Sequence, residues 1–247
     1  MSDVLLVDRR DDRVVAHLNR PEARNAINQA VIDALHSLCA ELEADPRILI
    51  IAGEGGVFAS GADIAELRDR RAVHARQGIN STAFIRLSEL PMPVIAAIDG
   101  YALGGGAELA YAADFRIGTP RLKIGNPETS LGIIAAAGAT WRLRELVGEP
   151  LANDMLLAGR ILSGEEALAA HLVTELHPAE SLITAAHALA DRIAKNDALA
   201  TRYTKRALRA ARQEHPLVDQ EAQAVLFESA EKQRRMTEFL ERKARVQ

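Results

Sequence analysis

Glu108 follows directly on the run Gly104-Gly105-Gly106, and Glu128 comes 20 residues later in Gly125-Asn126-Pro127-Glu128. Two carboxylates at neighbouring turns suit acid–base work on a carbonyl compound. The structural alternative is plain: a carboxylate near a helix start acts as an electrostatic cap, and Glu128 simply follows a proline turn. A second small-residue junction, Ser60-Gly61-Ala62-Asp63, resembles the first in kind. Each places small residues where the chain leaves a strand and enters a helix, so backbone N–H groups stay reachable and the helix start favours negative charge. Two such N–H groups aimed at one point make an oxyanion hole. On spacing alone, close backbone packing is the commoner reason for such glycines.

Other chemistries find no support. Position 109 is Leu, so the triple glycine is not a G-x-G-x-x-G fingerprint, and no G-x-x-x-x-G-K-[S/T] occurs. Ser60 is preceded by Phe58-Ala59, which breaks the nucleophile elbow. The seven histidines (17, 36, 74, 171, 177, 187 and 215) form no H-x-x-x-H pair, and no metal site is expected. Cys39 is the single cysteine, which excludes an intramolecular disulfide and a cysteine-built zinc site; it reads as a small buried filler. Thirty Lys and Arg against 34 Asp and Glu give a net charge of −4. A mildly acidic chain is a poor generic binder of nucleic acid or anionic lipid, so neither is expected as a partner. The N-terminus lacks a cationic region followed by a long apolar run, and no aliphatic stretch approaches the roughly 20 residues of a membrane helix. A cytoplasmic protein is the expectation.

The elements that must position these residues follow from periodicity. Val14–Leu18, Ile48–Ile51 and Val94–Ile98 are short aliphatic runs, the latter two without alternation, as in strands buried on both faces. Val31, Leu35, Leu38 and Leu42 make one helical face, ended by Asp45-Pro46. A charged stretch from about Asp63 to Leu90 reads as helical, a helix starts after Gly104–Gly106, and 115–117, 122–124 and 172–176 are strand candidates. Residues 181–195 and 216–244 are rich in helix formers. Alternating strands and helices imply an α/β fold, with a core domain over 1–185 and a helical region over 186–247.

Taken together, four segments resemble the crotonase, or enoyl-CoA hydratase/isomerase, superfamily. They are Asn19-Arg-Pro-Glu-Ala-Arg-Asn-Ala-Ile-Asn28, Phe58-Ala-Ser-Gly-Ala-Asp-Ile64, Pro93-Val-Ile-Ala-Ala-Ile-Asp-Gly-Tyr-Ala-Leu-Gly-Gly-Gly-Ala-Glu-Leu109, and Gly125-Asn-Pro-Glu128 with Leu131-Gly132. The resemblance implies a spiral of ββα repeats with C-terminal helices that build a homotrimer, often paired into a homohexamer. It implies an enoyl-CoA hydratase, with the Ala62 and Gly105 N–H groups gripping a thioester oxygen and with Glu108 and Glu128 as the catalytic pair. It places coenzyme A, carried as part of the acyl-CoA substrate, near Ala23, Arg24 and Ala26 and near Asp63, Ile64 and Ala65, with Ala62 and Gly105 at the thioester. No separate cofactor is required. A Δ3-Δ2-enoyl-CoA isomerase is the nearest alternative, and a non-catalytic acyl-CoA or RNA-binding protein a remote one.

The chain departs from the family pattern at two places. Ile134-Ala-Ala-Ala-Gly-Ala-Thr-Trp-Arg-Leu143 stands where many hydratases have I-P-G-A-G-G-T-Q-R-L, and Ala65 replaces a frequent lysine or arginine. The first bears on water placement or acyl fit, and the second removes one phosphate or adenine contact. Trp141 is expected to pack. The stretch from about Arg68 to Leu90 is expected to shape the acyl tunnel.

Overall fold

The computed structural model of the protein describes residues 4–246; residues 1–3, the start of the segment read above for targeting, lie outside the described residues. The chain divides into two compact units, Met1–Ala190 and Asp191–Gln247.

In the first unit β1 (Leu5–Arg9) and β2 (Arg13–Leu18) form an antiparallel pair. Asn28 then caps α1 (Gln29–Ala44), its side chain accepting the Val31 N–H at 3.1 Å. The face expected from spacing is buried: Val31, Leu35, Leu38 and Leu42, joined by Ile32 and Cys39. Fully burying each such aliphatic contributes about 1.5–3 kcal/mol. Burial pushes the Cys39 thiol up to about 11, in keeping with an unreactive filler. β3 (Ile48–Gly53) and β4 (Val94–Ile98) are buried throughout apart from Gly53, as their unbroken aliphatic runs require.

Between them lie α2 (Ile64–Asp69), α3 (Ala72–Gln77) and α4 (Ile79–Ser88). The charged stretch expected to be helical from about Asp63 to Leu90 is thus three short helices. Arg70 is extended, at φ −65° and ψ 147°, and Gly78 is left-handed, at φ 62° and ψ 39°. Next come β5 (Tyr101–Leu103), α5 (Gly105–Ala112), β6 (Phe115–Gly118) and β7 (Lys123–Gly125). The rest of the unit comprises α6 (Ala139–Val147), α7 (Glu149–Leu157), β8 (Ile161–Ser163), α8 (Gly164–Ala169) and β9 (Glu175–Leu176). α9 (Leu182–Ala194) buries Leu182, Ala186, Leu189 and Ala190.

The large sheet has the order β1-β2-β3-β4-β6-β9, parallel from β2 onward, and the small sheet has the order β5-β7-β8. β4 joins the large sheet and β5 the small one before α5; β6 and β7 repeat that step. Stepping from sheet to sheet and then to a helix is the spiral of ββα repeats.

The second unit contains α10 (Ala198–Arg209), α11 (Leu217–Phe227) and α12 (Ala230–Val246). The helix expected over 216–244 is two, interrupted at Glu228-Ser229. Leu208, Leu217, Met236, Phe239 and Leu240 are all more than half exposed. No helix among the described residues is long and apolar enough to cross a membrane.

Candidate active site

Register brings the two small-residue junctions together. Ala59 bridges Ala102 in parallel, with Ala59 N–H donating to Tyr101 O at 2.9 Å and Leu103 N–H to Ala59 O at 3.0 Å. Three further residues along each strand stand Ala62 and Gly105. A Cβ built on Gly105 would lie 3.5 Å from the Ala62 nitrogen. Ala62 also bridges Ile27, but its neighbours make those bonds: Ile27 N–H donates to Gly61 O at 2.8 Å and Asp63 N–H to Ile27 O at 2.9 Å. In a parallel pairing of this kind the N–H of Ala62 itself faces the other way. Gly105 is the first residue of α5, so its N–H has no partner within the helix. Two free donors therefore sit side by side at a helix N-terminus.

The glutamates reach the same cavity from two directions. Glu108 rises from the first turn of α5. Gly104 N–H donates to Gly125 O at 2.9 Å, which ties the end of β5 to the end of β7 and sets the chain onto Pro127-Glu128. Glu108 is 4% exposed and Glu128 8%. Glu108 Oε1 accepts the N–H groups of Ala137 at 2.7 Å and Ala139 at 3.1 Å. The loop in which alanines replace the family's proline and glycines thus supplies two donors to Glu108 and keeps Gly138, at φ +143°, between them. Glu128 Oε1 accepts from Asn126 Nδ2 at 3.3 Å, while its Oε2 is buried without a partner.

Burial raises both carboxyls above the ordinary range, Glu108 to about 7, with the Glu128 charge adding to the rise and the Ala137 and Ala139 N–H groups opposing it. Glu108 Oε1 receives two backbone N–H bonds, Glu128 Oε1 one from the Asn126 amide, and Glu128 Oε2 none.

The shared cavity measures about 540 Å³. Ala62, Ile64, Gly105, Glu108 and Glu128 line it; Ala23, Arg24, Ala26, Asp63 and Ala65 do not. Those residues lie alongside: Ser60 N–H donates to Arg24 O at 3.0 Å, and Arg20 donates to the Ala26 carbonyl and pairs with Asp63 at 3.2 Å. The Asp63 carboxylate also caps α2 through the Ala65 N–H at 3.1 Å, so its side chain is committed to structure. Trp141, expected to pack, is 47% exposed. The expected tunnel-shaping stretch does contribute wall residues, from Arg70 to Ser81.

Sequence reading missed Asn126 and Tyr111. Both are buried; the Tyr111 hydroxyl donates to Asn126 Oδ1 at 3.0 Å, which turns Nδ2 toward Glu128 and the Gly104 carbonyl. The pair orients Glu128. An amide side chain two positions before Glu128, after the buried pair Ile124-Gly125, was the available signal. Among the described residues no group of three or more His, Cys, Asp or Glu side chains could hold a metal ion.

Comparison with known proteins agrees with this geometry. The family description "Enoyl-CoA hydratase/isomerase" matches residues 12–246. "Probable enoyl-CoA hydratase echA8" of Mycobacterium bovis is 39% identical over 183 residues, covering 73% of this chain and 71% of that protein. The short-chain-enoyl-CoA hydratase of Clostridium acetobutylicum is 36% identical over 183 residues, covering 71% and 70%. The crystal structure of an enoyl-CoA hydratase from Bacillus anthracis superposes with a TM-score of 0.91 at 30% identity, over 97% of this chain and 96% of that one. A family match across nearly the whole length, with relatives and a solved structure agreeing, means that this chain belongs to the enoyl-CoA hydratase/isomerase family.

Proposed function

We propose that the protein is an enoyl-CoA hydratase, adding water across the 2,3 double bond of a 2-enoyl-CoA thioester to give the 3-hydroxyacyl-CoA. The observation that carries this reading is the convergence of two buried glutamates and two unclaimed backbone N–H groups on one cavity. The Ala62 and Gly105 N–H groups receive the thioester oxygen. The Glu108 carboxylate takes a proton from water as the water oxygen bonds to Cβ. The π electrons move onto the thioester oxygen, where the two donors stabilise the enolate. As the enolate collapses, Glu128 delivers its proton to Cα. The C2–C3 π bond breaks, one C–O and one C–H bond form, and the proton gained by Glu108 matches the one lost by Glu128. The balance closes with water alone, without a metal or redox group.

Coenzyme A is assigned to the outer face beside Ala23, Arg24, Ala26, Asp63, Ile64 and Ala65, mainly through their backbone. Incubation with crotonyl-CoA is expected to remove the enoyl absorbance and yield 3-hydroxybutyryl-CoA. Glu128→Gln is expected to slow this about 100- to 10,000-fold, the usual worth of a positioned acid. No loss of crotonyl-CoA, together with conversion of a 3-enoyl-CoA, would assign the isomerase reaction instead.

The assembly we propose is a homotrimer or a pair of trimers in the cytoplasm. The many exposed large apolar side chains of α10–α12 support self-association, since apolar surface left to solvent marks interaction sites. Sedimentation equilibrium is expected to give three or six times the chain mass; a monomer at micromolar concentration would refute it.

A further inference from the structure

Away from the glutamates, the cavity wall changes sign. Arg70, Arg71 and His74 all contribute to it, and among the described residues Glu108 and Glu128 are its only acidic side chains.

Arg70 is the member with an unmet need. Its side chain is 21% exposed, yet its partners are weak. Nη1 donates to Asn80 Oδ1 at 3.3 Å, and the Glu66 carboxylate is 3.9 Å from Nη2 while accepting the Gln29 N–H at 3.0 Å. Arg86, by contrast, grips Glu43 through two bonds of 2.6 and 2.7 Å. A guanidinium offers five donors in a planar fork matched to a carboxylate, and a half-buried one gains from such a partner. The adjacent groups are donors too. His74 Nδ1 accepts the Arg71 N–H at 2.9 Å, which puts the proton of the neutral ring on Nε2. Asn80 spends its Oδ1 on Arg70 and keeps Nδ2 as donor, 3.6 Å from where a Gly105 Cβ would be. Asn80 therefore stands between Gly105 and Arg70, its Nδ2 beside Gly105 and its Oδ1 on the guanidinium. Leu67, Ala75 and Ile79 supply apolar wall in the same cavity.

We propose that this cavity selects acyl-CoA thioesters whose acyl chain ends in a carboxylate, with Arg70 as the residue that binds that carboxylate. The inference rests on the hydratase reading for the placement of the thioester at Ala62 and Gly105. The favoured substrates are then short enoyl-CoAs carrying a terminal acid. Arg70 takes the carboxylate through its fork, and His74 and Asn80, which line the same cavity, each offer a further donor. A neutral chain of equal length leaves the guanidinium without its partner, the situation in which a polar site discriminates most strongly.

The test is equilibrium binding of saturated thioesters, which cannot be hydrated. Wild-type protein is expected to bind glutaryl-CoA about 10-fold or more tightly than butyryl-CoA, with succinyl-CoA and adipyl-CoA reading the reach of the site. Arg70→Gln is expected to weaken glutaryl-CoA about 10- to 100-fold and to change butyryl-CoA far less; Arg70→Lys, with the charge but without the fork, is expected to fall between. Equal wild-type affinity for glutaryl-CoA and butyryl-CoA overturns the proposal. So does an equal loss for both in Arg70→Gln; if that loss disappears with the corresponding pantetheine thioesters, the guanidinium binds a coenzyme A phosphate. His74→Gln, on a different helix, guards against a folding defect at Arg70: a reduced glutaryl-to-butyryl preference supports the site, and an unchanged preference in both variants rejects it. The hydratase reading fails separately, through absence of turnover of both crotonyl-CoA and glutaconyl-CoA while the binding preference persists.

Discussion

Gly105→Ala is expected to fold as well as the wild type and to lose hydration of crotonyl-CoA by about 100- to 1000-fold, the typical effect of disabling an oxyanion hole. Gly105 opens α5 without a positive φ, so alanine fits its backbone. Replacing glycine at such a compatible position adds about 0.4–1 kcal/mol of stability by restricting the unfolded chain. The new methyl would stand 3.5 Å from the Ala62 nitrogen and 3.6 Å from Asn80 Nδ2. These are ordinary contacts, so nothing need move, yet the methyl occupies the space between the two donors where the thioester oxygen must sit. Gly106→Ala is the contrasting control. There the Cβ would fall 2.3 Å from the Ala59 carbonyl oxygen, against backbone, and the variant is expected to misfold. Gly104 differs again, with φ +51° and Glu128 Oε1 at 3.1 Å from a built Cβ. A thermal melt and an initial-rate assay separate the three cases. A Gly105→Ala protein with wild-type turnover removes the oxyanion role from Ala62 and Gly105.

This contrast marks what the sequence made legible. Glycines at 104–106 announce close approach, but three identical letters hide three different demands, and only the register of Ala59 on Ala102 separates them. The buried strands and α1 were readable because local pattern and tertiary burial agree there: Ile48–Ala52 is buried with no alternation, and the heptad-like spacing of Val31 to Leu42 maps onto one face. β1 escaped notice because it is an edge strand of mixed exposure running into Asp8 and Arg9. β5 and β8 escaped because three residues carry too little period to read. The 63–90 stretch misled for another reason: apart from Gly78 its residues are compatible with a helix, and the breaks at Arg70 and Gly78 fall at residues that line the cavity. At the site, the four expected residues Ala62, Gly105, Glu108 and Glu128 meet, whereas Asn126, Tyr111 and the Ala137 and Ala139 amides stayed invisible. Their roles depend on contacts between segments up to 31 residues apart. Backbone donors carry no residue signature at all.

The second large effect concerns stability. Glu108→Gln is expected to make the protein more stable at alkaline pH while slowing hydration about 100- to 10,000-fold. An isolated glutamate titrates near 4.5, whereas burial lifts Glu108 to about 7. Between these values the folded chain binds more protons than the unfolded chain, so stability falls as pH rises through the window. Below the unfolded value nothing is lost; above about 7 the full penalty applies, about 3 kcal/mol for such a shift. Glutamine is neutral at every pH, and its carbonyl oxygen accepts the Ala137 and Ala139 N–H groups as the carboxylate oxygen does. The variant therefore escapes the penalty and keeps the bonds. Its melting temperature is expected to exceed that of the wild type by several degrees at pH 8 and to match it at pH 4. A gain of equal size at both values would mean that glutamine merely packs better and that Glu108 bears no ionisation strain. The pH-dependent outcome ties the two properties to one cause: the burial that destabilises the Glu108 anion also gives it the basicity to take a proton from water, so the substitution that relieves the fold disarms the site.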